Sequence, residues 1–185
     1  MRSVGLVILL SMSLPCAADD FRSAAFGSTR DEVRASEDGV EWVEHEQGLA
    51  FETQISGIDA HAVYIFAGDV FVRGTYLITE RHANKTAHIS DFDNIANLLV
   101  LKYGEPDEGD SIWLNDLYKD SPEDWGMALS VGHLAMFRRW KISQGGITML
   151  LSGDNYQVTF QIDYDSAEWG HLEQEAKEKQ ALDAL

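Results

Sequence analysis

Runs of strand length recur along this chain, alternating apolar and polar and broken by tight-turn residues. They form two series, and each series follows a helix start. Such a pattern favours antiparallel meanders over a helix bundle or a doubly wound parallel sheet. In the first series, Val40–Glu46 leads to a turn at Gly48, and Leu49, Phe51, Thr53 and Ile55 then share one face. Gly57 turns the chain into His61–Phe66, and Ala67-Gly68-Asp69 is a hairpin signal before Val70–Thr79. In the second series Leu134–Ile142, Ile147–Leu151 and Tyr156–Tyr164 are separated by Gln144-Gly145-Gly146 and Gly153-Asp154-Asn155. Ser111–Tyr118, which contains Trp113, reads as a further strand, and Asp107-Glu108-Gly109-Asp110 reads as an acidic turn before it. Gly126–Val131 fits either a strand or one helical turn.

The helix starts are written in capping residues. Thr29 followed by Glu32 is a capping box, and Asp38-Gly39 ends that short helix. Ser90 is the expected cap of the second helix, with Asp93 in its first turn. Phe92, Ile95, Ala96, Leu99 and Tyr103 follow helical spacing until Gly104 and Pro106 stop it. Residues 166–185 read as a polar C-terminal helix. The expected architecture is α+β. Two helix-plus-antiparallel-strands units, about residues 21–82 and 88–165, stand in tandem. Their largely antiparallel sheet carries helices on one face, with the C-terminal helix added.

Residues 1–18 carry an address. Arg2 is a short positive region, Val4–Leu14 is apolar, and Pro15 precedes Cys16-Ala17-Ala18, a small-residue cleavage site. The apolar run is too short to span a bilayer. The reading is export to the periplasm or outside the cell with cleavage after Ala18. A lipoprotein acylated at Cys16 is the alternative, and Pro15 fits it badly. The mature chain has no cysteine and no transmembrane span. It carries 13 basic against 31 acidic residues, a net charge of −18, where the 185-residue chain has −17. Nucleic acid is excluded as a partner on this reading, since phosphate neutralisation needs clustered Lys and Arg. A basic envelope protein fits the charge better.

Phe21-Arg22, with Phe26-Gly27-Ser28-Thr29 and Glu32-Val33 after it, resembles the opening of a family of small exported bacterial proteins of unknown function. Leu98, Lys102-Tyr103-Gly104-Glu105-Pro106, Trp140 and Ile147–Leu151 are similar to that family's second half. The helix start is also similar to that of the small outer-membrane-assembly lipoproteins and of the β-lactamase-inhibitor-protein fold. The resemblance implies a helix-then-sheet unit and a binding role, and it points to no catalytic residue.

The chemistry-bearing residues admit plain explanations. In Glu44-His45-Glu46 a strand sends His45 to the face opposite the two carboxylates. His82 and His88 flank a polar loop containing Asn84-Lys85-Thr86. They could ligate zinc with a nearby carboxylate, but no third ligand stands at metal spacing, so surface histidines are the preferred reading. The carboxylate pairs Asp91/Asp93 and Asp163/Asp165 suit helix starts and strand ends, and Arg138 and Arg139 point to opposite faces of a strand. No catalytic residue, cofactor or metal is expected. The interface candidates are Trp42, Trp125, Asp107, Glu108 and Asp110. The leading expectation is a non-catalytic protein-binding module, inhibitor- or immunity-like. The alternatives are an envelope-assembly accessory protein and a hydrolase built from carboxylates and His.

Overall fold

The computed structural model describes residues 20–46 and 48–183, so the expected leader lies outside the described residues. The element order is α1 (Arg30–Ser36), β1 (Val43–His45), β2 (Gly48–Ile55), β3 (Ile58–Ala67), β4 (Val70–Ile78), α2 (Thr86–Tyr103), β5 (Glu108–Trp113), α3 (Trp125–Ser130), β6 (Leu134–Ile142), β7 (Gly145–Asp154), β8 (Gln157–Ser166) and α4 (Gly170–Asp183). Two short 3-10 turns, Asp116–Tyr118 and Pro122–Asp124, join β5 to α3. The protein is α+β, with one eight-stranded antiparallel sheet in the order β1-β2-β3-β4-β8-β7-β6-β5. Each helix-plus-four-strand unit is a meander, and the last strands of the two units pair at Thr75 and Asp163. The order therefore reads alike from both edges.

The alternation decides which face is buried. Phe51, Ala62, Tyr64, Phe160, Ile162, Ile147, Met149 and Trp140 form a core beneath α1, α2 and α3, which contribute Val33, Phe92, Ile95 and Leu129. Phe21 enters this core with its ring 4.8–5.3 Å from those of Tyr64, Tyr76 and Tyr164. Gly74 makes room for it, because a Cβ at that position would overlap the Phe21 ring. α4 lies against β3 and β4, where Glu173 pairs with Arg73. Arg73 points away from the core, so α4 covers part of the opposite face.

Several boundaries differ from those the sequence suggests. The capping box of α1 forms as expected, with Thr29 N donating to Glu32 Oε2 at 2.8 Å and Glu32 N donating to Thr29 Oγ1 at 3.3 Å. Helix α2 starts four residues before the expected Ser90 cap, and Ser90 is an interior helical residue. Asn84 Oδ1 instead accepts the Thr86 amide at 3.1 Å, an Asx turn that brings the chain into the helix earlier. Glu108-Gly109-Asp110 is the start of β5 and not a turn, because Glu108, Gly109 and Asp110 pair with Arg139, Arg138 and Phe137. That strand ends at Trp113, short of Tyr118, where Asn115 Oδ1 accepts the Leu117 amide and starts a 3-10 turn. Gly48 belongs to β2, and β8 runs on through Ser166.

Candidate functional site

The early start of α2 creates the most concentrated group of ligating side chains among the described residues. His88 and Asp91 stand three apart and therefore lie on one side of the helix. His82 precedes the helix, in the connection that follows β4, and turns back onto the same side. His82 Nε2 lies 2.5 Å from Asp91 Oδ2, and the His82 and His88 rings meet edge to face with centroids 4.7 Å apart. One ligand atom from each of the three residues lies within 4.8 Å of the others. His88 is 6% exposed, while His82 and Asp91 are partly open to solvent.

The site favours a neutral imidazole at His88. Burial is the main cause that holds its pKa below the usual histidine value, and the positive ends of His82 and Lys85 add to it. A hollow of about 670 Å³ opens beside the cluster, between the residues after β4 and the β7–β8 turn. Glu80, Arg81 and Lys85 give it charge, and Tyr156 and Gln157 form its far side. Asn155 and Tyr156 hold positive φ in that turn, and the Tyr156 amide donates to Ser130 O at 2.9 Å, which ties the rim to α3. The arrangement offers two imidazoles and a carboxylate to a cation, or a His–Asp pair to a polar ligand.

A second surface surrounds β5, an edge strand. Residues 105–124 hold eight acidic residues and a single lysine. Within the same segment Leu114 is 73% and Leu117 69% exposed and Ile112 is also exposed, and Met127 is exposed on α3. Trp125 underlies this surface. Its ring meets Trp113 edge-on at 5.6 Å, and its Nε1 donates to Lys119 O at 3.1 Å. Asp107 Oδ2 accepts the Lys141 amide at 2.6 Å, Glu108 pairs with Arg139 at 3.3 Å, and Asp110 Oδ1 accepts the Ser111 amide at 2.7 Å.

The structure thus brings Trp125, Asp107, Glu108 and Asp110 to one edge of the sheet. Trp42 does not join them. It precedes β1, at the opposite edge, where its ring packs edge-on against Phe51 and Tyr64. His45 and Glu44 face opposite ways as expected, with Glu44 paired to Arg34. Asp163 accepts from Thr75 Oγ1 and Gln161 Nε2, which explains its burial. Arg138 lies over the Phe92 ring on the helical face, while Arg139 reaches Glu108 on the other.

Sequence reasoning missed Asp91 as the third member of the His82–His88 group. With Ser90 taken as the cap, Asp91 was assigned to the helix start and its relation to His88 disappeared. The His88-x-x-Asp91 spacing was the available signal. The exposed leucines were missed because Ser111–Tyr118 read as one strand, which would have given Leu114 and Tyr118 a common face.

Compared with known proteins, the chain matches no family model, no curated protein and no solved structure. Among the described residues no helix is long and apolar enough to cross a membrane.

Proposed function

We propose that this chain is an exported, non-catalytic protein-binding module that docks through the β5 edge and the segment following it. The observation that carries the reading is the coincidence of highly exposed Leu114 and Leu117 with eight acidic residues in the edge strand β5 and the segments flanking it. Large apolar side chains grouped at a polar rim mark association surfaces, since leaving them in water forfeits their burial energy. The partner that fits is a protein with a basic rim around an apolar pocket. Acidic groups steer its approach, and the leucines anchor it once water is expelled. The leader pattern of residues 1–18 and the helix-start resemblance both support an exported binding role.

The test uses the immobilised protein and an envelope fraction, at low and high salt. Capture is expected to weaken at high salt, to be lost in the Leu114→Asp/Leu117→Asp variant, and to survive in Leu101→Asp, which changes an exposed leucine on α2. Equal capture by the Leu114→Asp/Leu117→Asp variant, or capture indifferent to salt, refutes the proposal.

A further inference from the structure

We propose that His82, His88 and Asp91 form a binding site for one divalent first-row transition ion, with zinc as the best match. The donor set is the first argument. Two imidazoles and one carboxylate suit zinc and its neighbours, whereas calcium and magnesium prefer sites made of oxygen. The geometry is the second. Zinc bonds of about 2.0–2.1 Å at tetrahedral angles need ligand atoms about 3.3 Å apart. The three ligand atoms already lie within 4.8 Å of one another, with His82 and Asp91 at 2.5 Å. An ion therefore needs only to part the His82–Asp91 pair and draw in the His88 ring by side-chain rotation.

Access and coordination number form the third argument. The cluster borders the hollow of about 670 Å³, so an ion held by three protein ligands keeps a fourth position open to water or a small anion. Glu80, which lines the same hollow, adds negative charge, while Arg81, Lys85 and the N-terminus of α2 oppose a cation. The proposal is independent of the docking surface: β5 lies at the sheet edge, and α2 carries two of the three ligands.

The test is calorimetric titration of zinc into the protein after chelator treatment, followed by the absorption spectrum of the cobalt-substituted protein. One ion per chain is expected, with a cobalt spectrum of low-coordinate nitrogen and oxygen ligation. His82→Ala and Asp91→Asn each weaken zinc binding by more than the roughly 10–100-fold that loss of an outer-shell partner costs. Both residues are partly exposed, and circular dichroism checks that the variants fold. His45→Ala and His171→Ala leave the affinity unchanged. Binding that survives both His82→Ala and Asp91→Asn, binding that disappears in His45→Ala or His171→Ala, or no retained ion in the folded parent overturns the proposal.

Discussion

Tyr64→Phe removes one oxygen atom from an enclosed polar contact in the first unit. Tyr64 is fully buried, and its hydroxyl donates to Glu37 Oε1 at 2.7 Å. The same carboxylate accepts from Arg22 Nε at 2.9 Å and from Arg22 Nη2 at 3.1 Å, and its side chain is only 6% exposed. Burial alone would raise the Glu37 pKa, but the Arg22 and Tyr64 hydrogen bonds outweigh it and hold the group below the usual carboxylate value. Burial, followed by the bond to Glu37, pushes the Tyr64 hydroxyl well up. A hydrogen bond to a charged acceptor contributes about 1.5–3 kcal/mol. The Arg22 fork remains in the variant, so no buried charge is orphaned and a loss of about 2 kcal/mol is expected. For a chain of this size that corresponds to roughly 4–8 °C in Tm.

The pH dependence follows from the depressed Glu37 pKa. The charged-acceptor increment is fully present above the unfolded value of about 4.5 and disappears as pH falls through the lower folded value. Below that point the hydroxyl bonds a neutral carboxyl, and the difference between parent and variant shrinks to about 0.5–1.5 kcal/mol. Urea unfolding of parent, Tyr64→Phe and the exposed control Tyr156→Phe, repeated from neutral to acid pH, measures this. A neutral-pH difference under about 0.5 kcal/mol, or a difference of the same size at acid pH, would refute the reasoning.

Two further predictions concern the candidate metal site and the docking edge. Gly126→Ala places a Cβ against the Lys85–Thr86 backbone at the start of α2, so an overpacking loss of about 1–3 kcal/mol is expected together with weaker zinc binding. Thermal melts and the zinc titration check both parts, and an unchanged Tm contradicts the first. Glu108→Lys breaks a pair whose two side chains are more than half exposed, so stability should stay within about 0.5 kcal/mol while partner capture weakens at low salt. Denaturant midpoints and the capture assay separate the two effects.

The sequence was most legible where a local rule acted alone. Thr29 and Glu32 form the capping box they spell, and Gly104 ends α2 with its amide bonded to Val100 O. The strand Leu134–Ile142 has the expected bounds, since alternation set by one buried face leaves no freedom of register. It was least legible where two local signals competed. Ser90 is the entry the sequence suggests, whereas the structure enters at the Asn84 turn, which the packing of the first turn favours. With α2 beginning at Thr86, His88 and Ile89 are buried and Gly126 of α3 fits against the backbone of Lys85 and Thr86. The same competition hid the candidate metal site, because its spacing exists only once the helix includes His88.

Alternation, caps and turn residues determined by themselves that this chain forms two antiparallel units with a helix before each. Those features are local, and one buried face suffices to read them. Only the tertiary structure decided that the shared sheet is joined through β4 and β8, which places Trp42 and Asp107 at opposite edges. It likewise decided that Asp91 closes on His82 and that Leu114 and Leu117 stay in water. Such facts depend on strand order and on which of several caps the packing selects, and neither is recorded in the spacing of neighbouring residues.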